Sequence, residues 1–575
     1  MILLSVLLVA LVGNVWANIL PESFDVDVEA LPGFKREWAS VLEMHAGVIS
    51  VEEGEESDGN AGLFFWDFRQ NSSSGNTCGS RPLVVWLNGG PGCSSMDGAL
   101  MEIGPLRVAD SGHELEWNKG WFEKADLVFI DQPVGTGFSP TSESTPYDTT
   151  LVDSTAHLMK FMHRYFDIFH LDSYESIIVA GESYAGQYVP HLARALKDDS
   201  RFSSKVDTVL LGNAWLDPNL QSLAYVPYVL DTGVVDPQSD KSSFSYLLSL
   251  QDQCQNIQNE EDVSKIPFEA KECENILNKL LMSYKPGPKR CINVYDVSKD
   301  DSYPQCGTSW PELLPATTTY LSLAEVQEAL HVSGNGMWKE CNNDVHRSFT
   351  PRNGNYGASL ISSLLNDGVH VNLFSGMNDL ICNYLGTEAV IRKYAQPYLI
   401  AHNYTINTSP SRGIDKFEMD AEWIHSGETA GALWQRGNLT YVQVANASHM
   451  VAYDVSEASI GILDLARRAN NGTVVKTGEN SAVETQSSRN AYRVDAIILA
   501  VSTAIVVCVL VYAVYVWRTR PQRYSALANS RPSAYTRYAY EWMAGSGGSS
   551  RKKRVHWIDE TDDLELASLP QNDKT

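Results

Sequence analysis

The chain has 575 residues, of which 70 are acidic and 44 basic, giving a formal net charge of −26. That balance excludes a nucleic-acid binder, which needs a basic face, while leaving room for cationic ligands. With 43% apolar residues the chain can bury a large core, and its length exceeds that of an ordinary single domain. In chain order, the opening run MILLSVLLVALVGNVWANIL ends in Val15-Trp16-Ala17 and predicts a secretory signal over residues 1–17. A large luminal domain is expected over 18–469. Within it, six nearly continuous apolar runs each end in Gly, Asn or Asp: RPLVVWLNGG, ADLVFIDQP, SIIVAGES, VDTVLLGNAW, VHVNLFSGMND and LTYVQVANASH. Such runs suit strands buried on both faces of a parallel sheet. Between two of them, LVDSTAHLMKFMHRYFDIF repeats apolar residues at helical spacing, so the predicted class is α/β with a mostly parallel central sheet and function at the strand ends. Residues 215–341 break the rhythm and carry Cys254, Cys273, Cys291, Cys306 and Cys341, which predicts a disulfide-pinned insertion acting as a cap.

After a polar stalk at 470–495, the segment AIILAVSTAIVVCVLVYAVYVW, residues 496–517, has no charge and is long enough to span a bilayer. Arg518, Arg520 and Arg523 follow directly, so the tail 518–575 is expected on the cytosolic side of a type I membrane protein. Sequons at Asn71, Asn403, Asn407, Asn438, Asn446 and Asn471 all precede that span. The one at Asn446 adjoins a strand end expected to be buried and is therefore expected unoccupied. Eight of the nine cysteines lie on the luminal side, where pairing is the rule, and Cys508 lies in the span. Tyr524 in YSAL and Tyr540 in YEWM offer the tail to sorting adaptors.

The chemistry gathers at three strand ends. In IIVAGESYAGQYVPHLARAL, Ser183 sits where an apolar strand turns sharply into a helical pattern, the form of a nucleophile elbow with Ala185 at the fifth position. Asp379 follows VHVNLFSG and His449 follows LTYVQV, so Ser, Asp and His occur in the order used by α/β hydrolases. His449 would take the proton from Ser183 while Asp379 fixes its tautomer. Glycines in WLNGGPGCSS let backbone N–H groups approach a reacting oxygen, and Gly90 and Tyr184 are the expected oxyanion donors. The HELE run at His113–Glu116 fits a metal-ligand spacing, but no third ligand follows, so neither a metal nor any other cofactor is expected.

Together WLNGGPGCSS, DQPVGTGFS, GESYAG, NDLICN and SHMV resemble the serine carboxypeptidase family across essentially the whole luminal portion. The resemblance implies an α/β-hydrolase fold and acyl-enzyme hydrolysis. It also implies a site for the substrate's terminal carboxylate built from Asn88, Gly89, Glu102 and Glu182. Two glutamates can hold a carboxylate only if one is protonated, so the expected activity is greatest at acidic pH. Cys382 matches a free cysteine of the substrate pocket, Met450 follows the catalytic histidine into it, and Cys93 is expected to pair with Cys341. The other four cap cysteines form two bridges in any of three connectivities, with Cys78 unplaced. Met377 stands where the family often has Asp, and SHMVA replaces a Gly-His-Met-Val-Pro pattern. The signal, span and tail are further similar to the family's membrane-anchored processing branch of the late Golgi, which trims C-terminal Lys and Arg from pheromone- or toxin-type precursors. Asp97, five residues before Glu102 on a predicted helix, is the candidate acid for that preference. Competing readings are a broad-specificity degradative carboxypeptidase and an inactive hydrolase ectodomain; the intact Ser183, Asp379 and His449 weigh against the latter.

Overall fold

The computed structural model describes residues 20–470 except 53–59, 72–80, 286, 288, 335, 352–353, 355 and 412–413. The predicted signal, the stalk beyond residue 470, the membrane span, the tail, Asn471, Cys78 and Cys508 therefore lie outside the described residues. Among those described, no helix is long and apolar enough to cross a membrane.

A ten-stranded mixed sheet organises the protein. Its strands are β1 (Leu42–Ser50), β2 (Gly62–Gln70), β3 (Leu83–Leu87), β4 (Asp126–Ile130), β5 (Ile177–Glu182), β6 (Val206–Gly212), β7 (His370–Gly376), β8 (Ala421–His425), β9 (Glu428–Arg436) and β10 (Leu439–Val444). In space they run β1-β2-β4-β3-β5-β6-β7-β10-β9-β8. From β4 through β10 every adjacent pair is parallel, while the β1/β2 and β8/β9 ends pair antiparallel. The six apolar runs are the six parallel strands. Their continuity has a direct cause: in β3, Leu83, Val85 and Leu87 enter the core on one face and Val84 and Trp86 the core on the other. β4 and β5 divide their residues the same way, so neither face of these strands meets water.

Helices cover one face through α1 (Leu151–Ile168) and α2 (Ala185–Asp198) and the other through α6 (Ser456–Asn470). Thr150 caps α1 by accepting from the Asp153 N–H at 3.2 Å. The insertion holds α3 (Lys241–Gln258) and α4 (Lys271–Ser283), joined by the Cys254–Cys273 disulfide. A second bridge, Cys291–Cys306, closes a short two-stranded ribbon at Arg290–Ile292 and Asp300–Ser302. The cap is shorter than the expected 215–341. Tyr320, Leu321, Val326 and Trp338 pack into the core with Trp38 and Trp121, so this last part belongs to the body of the fold. Between α4 and α6, α5 (Tyr384–Tyr394) follows the loop after β7.

Candidate active site

Ser183 lies between β5 and α2 with φ +59°, a left-handed conformation that a serine adopts only when the surroundings enforce it. Its own backbone is held on both sides: its N–H donates to the Gly212 carbonyl at 3.2 Å, and its carbonyl accepts from Trp215 N at 2.7 Å and Gly186 N at 2.9 Å. Small residues are obligatory around this corner. A Cβ on Gly186 would lie 2.9 Å from the Trp215 backbone, and one on Gly181 would lie 2.3 Å from the Leu87 carbonyl. Ser183 opens onto a cavity of about 510 Å³ whose wall also includes His449, Tyr184, Glu182 and Cys382.

Asp379 follows β7 and is fully buried. Its Oδ2 accepts from His449 Nδ1 at 2.8 Å and from Asn213 Nδ2 at 2.6 Å, while Oδ1 accepts from the N–H groups of Ile381 at 3.0 Å and Cys382 at 3.3 Å. A carboxylate so surrounded by donors has one orientation. It holds the Nδ1–H tautomer of His449 and leaves Nε2 as the basic nitrogen. The His449 N–H donates to the Tyr295 carbonyl at 3.0 Å, and the two rings pack with centroids 5.1 Å apart. Asn213, just past β6, and Tyr295 from the insertion were not apparent in the sequence. The Asn in GNAW was the one available signal for the first, and nothing local marks the second.

The loop after β3 is pressed against the serine corner. A Cβ on Gly89 would fall 2.5 Å from Tyr184 N and 2.9 Å from Ser183 Cβ, so only glycine lets Gly90 and Tyr184 share one side of the cavity. Asp131 anchors this loop to the end of β4: Oδ1 accepts from Ser94 Oγ at 2.6 Å and Ser95 N at 2.8 Å, and Oδ2 accepts from Phe138 N at 2.9 Å. The Cys93–Cys341 disulfide fixes its far end.

Asn88 is locked by Trp86 Nε1, which donates to its Oδ1 at 2.7 Å, and by Gly98 N at 3.2 Å. Its amide then points Nδ2 at Glu182 Oε1, 3.0 Å away. Glu182 and Glu102 are buried in hydrogen-bonding contact with each other. Burial pushes Glu102 up to about 7, with hydrogen bonds from Glu182 and Asn88 opposing the rise. Burial and the Glu102 charge hold the Glu182 carboxyl well above the usual range. Two such carboxyls share a proton. Asn88, Gly89 and Glu182 form cavity wall, whereas Glu102, in contact with Glu182, is not among the lining residues. Glu102 therefore reaches the cavity through its contact with Glu182.

Asp97 and Met450 also line the cavity. Asp97 is only 5% exposed, and its Oδ1 has no hydrogen-bond partner among the described residues. Cys382 is a buried thiol with no disulfide partner among the described residues; burial and the neighbouring Asp379 and Glu182 charges push it up and keep it neutral. Donor atoms of Asp379, Cys382 and His449 lie within 4.8 Å of one another, but a metal there would have to displace the Asp379–His449 bond. His113 and Glu116 are exposed on the surface. Of the sequons, Asn403 and Asn407 are exposed and Asn71 and Asn438 half-buried. Asn446 is exposed, not buried as expected, because the chain leaves β10 there through a left-handed turn with φ +57°.

A parallel sheet carrying a serine elbow, a buried Asp–His pair and a glycine-rich loop facing one cavity defines an α/β hydrolase. The serine carboxypeptidase family model matches residues 32–466. The chain is 39% identical over 449 residues to the pheromone-processing carboxypeptidase KEX1 of Ogataea parapolymorpha, covering 77% of this chain and 70% of that one. It is 39% identical over 482 residues to KEX1 of Saccharomyces cerevisiae, covering 77% of this chain and 63% of that protein's length. It is also similar to the crystal structure of the Saccharomyces cerevisiae prohormone-processing carboxypeptidase KEX1, with TM-score 0.69 and 35% identity over 81% of this chain and 100% of that one. The chain belongs to the serine carboxypeptidase family and is a serine-type peptide hydrolase.

Proposed function

We propose that the protein removes C-terminal Lys and Arg from secretory precursors, as a type I membrane enzyme of the late Golgi with its catalytic domain in the lumen. The observation that carries the preference is Asp97: a buried carboxyl oxygen with no partner among the described residues, in the wall of the cavity that holds Ser183 and the Asn88–Glu182 pair. Such an oxygen is costly unless something cationic reaches it. The similarity to pheromone-processing carboxypeptidases supports the choice of peptide precursors. The apolar segment 496–517 and the arginines after it support the anchoring, and the luminal sequons, Asn71, Asn403, Asn407, Asn438 and Asn471, would carry glycans. Tyr524 and Tyr540 would hold the tail to sorting adaptors.

In the reaction, the substrate's terminal carboxylate accepts from Asn88, the Gly89 backbone and the proton shared by Glu182 and Glu102. His449 Nε2 takes the Ser183 proton as Oγ attacks the last peptide carbonyl, and the Gly90 and Tyr184 N–H groups receive the oxyanion. The imidazolium, balanced by Asp379, protonates the departing amino acid. Water then hydrolyses the Ser183 ester by the reverse sequence. Cys382 and Met450 contact the residues flanking the bond. Replacing Asp97→Asn should reduce kcat/KM for terminal Arg and Lys by about 10- to 100-fold while terminal Leu and Phe lose far less. Equal losses on all four would remove Asp97 from specificity.

A further inference from the structure

Glu340 directly precedes Cys341 in the stretch WKEC. In the fold Glu340 is bound to the loop that carries Asp97 by ties on both sides. The next residue forms the Cys93–Cys341 disulfide, Ser94 N donates to the Glu340 carbonyl at 2.8 Å, and Asn342 N donates to the Gly92 carbonyl at 2.9 Å. Residues 340–342 thus run alongside 92–94, and Asp97 follows one turn later with its N–H on the Ser94 carbonyl at 3.3 Å. Both acids reach the wall of the same cavity. The Asp97 Oδ1 there has no partner among the described residues.

We propose that Glu340 is the second acid of the basic-residue pocket, and that it and Asp97 take one cationic side chain of the substrate between them. This rests on the reading of the cleft as a Lys/Arg site. The charges that act most strongly on Asp97 are Glu340, Glu102 and Asp131, all of its own sign. Two carboxyls facing one cavity match the guanidinium fork, which donates to two acceptors at once, and an ammonium reaches both as a point charge.

The surroundings add a consequence. Burial raises both groups, and the Glu340 charge raises Asp97 further. Asp97 also faces Glu102, Glu182 and Asp131; Glu340 faces the Tyr295 hydroxyl, and His346 shares the cavity wall. The empty pair therefore keeps a proton under acidic conditions and releases it to solvent when a cation enters. As pH rises the pair gains charge on its own, so preference for a basic residue grows even where the overall rate declines.

The test uses the full-length chain and peptides differing only in a terminal Arg or Leu, assayed from about pH 4.5 to about pH 7. The Arg:Leu ratio of kcat/KM should climb by about tenfold across that range in the unaltered protein. Glu340→Gln should lower the ratio by about 10- to 100-fold and flatten its pH dependence. If that variant does not fold, the trend in the unaltered protein decides: a flat Arg:Leu ratio overturns the proposal. A folded Glu340→Gln variant with an unchanged ratio overturns it too, while leaving Asp97 as the sole acid. No preference for Arg in the unaltered protein at any pH would overturn the Lys/Arg reading itself, and this inference with it.

Discussion

Peptide cleavage should fail from the alkaline side, and the Glu102–Glu182 contact sets where. Burial places Glu102 at about 7 and Glu182 well above its ordinary value, so below neutrality the pair holds a proton for the substrate's terminal carboxylate. Once that proton is lost, a carboxylate must approach an anion in a buried wall. Glu102 ionises first and Glu182 keeps the remaining proton, so the loss follows the raised Glu182 carboxyl: beyond its ionisation kcat/KM should fall about tenfold per pH unit from the acidic plateau, or about 1.4 kcal/mol. The loss should appear mainly in KM. Glu182→Gln tests the cause, because its amide oxygen can keep the 3.0 Å bond from Asn88 while its –NH₂ supplies a donor that does not titrate. That variant should be slower at about pH 5.5 by roughly tenfold, yet nearly level up to about pH 8. Peptides ending in an amide, with no carboxylate to repel, should lack the alkaline loss. An unaltered enzyme whose kcat/KM for free-acid peptides stays level or climbs to pH 9 would refute the shared-proton argument.

Three other changes test separate parts of the structure. Asn213→Ala removes a 2.6 Å bond to the buried Asp379 carboxylate, and kcat should fall by about 10- to 100-fold with KM little altered, read by steady-state kinetics. Gly89→Ala puts a Cβ 2.5 Å from Tyr184 N and must push the loop off the serine corner; the rate should drop at least about 100-fold, comparable to losing an oxyanion donor, while circular dichroism stays native. Thermal unfolding should be easier at about pH 8 than at about pH 5. Glu102 and Glu388 near 7 and Asp131 and Glu269 near 6 keep protons that the unfolded chain has already lost, so stability falls as pH rises through these values. His45, raised to about 9 beside Asp67, has the same sign: its contribution is complete below the ordinary histidine value and disappears as pH passes about 9.

What could be read in the sequence follows from what surrounds each residue. The six parallel strands were visible because helices cover both faces, leaving no polar alternation to interrupt the apolar runs. β2 was not apparent, because Asp67 and Arg69 break its run. In the fold both are buried, with Asp67 accepting from His45 N at 3.2 Å, His45 Nδ1 at 2.9 Å and Tyr165 Oη at 2.7 Å. β8 and β9 form the sheet's far end and keep the mixed exposure of an edge, which gave no continuous signal. At the site, Ser183, Asp379 and His449 each lie within about five residues of a strand's end, so their positions were legible. Glu340 was not, since it meets the loop of Asp97 only through pairing of segments 248 residues apart, by a disulfide and flanking backbone hydrogen bonds. The cap pairing was undetermined for the same reason: spacing alone permits three connectivities, and packing of α3 on α4 selects Cys254–Cys273.

The most direct test of the central claim compares release of terminal Arg, Lys, Leu and Phe from otherwise identical peptides at about pH 5.5, with Ser183→Ala alongside. The account predicts release that favours Arg and Lys by at least about tenfold and vanishes in the variant. Equal release of all four residues, or cleavage that persists without Ser183, would contradict it.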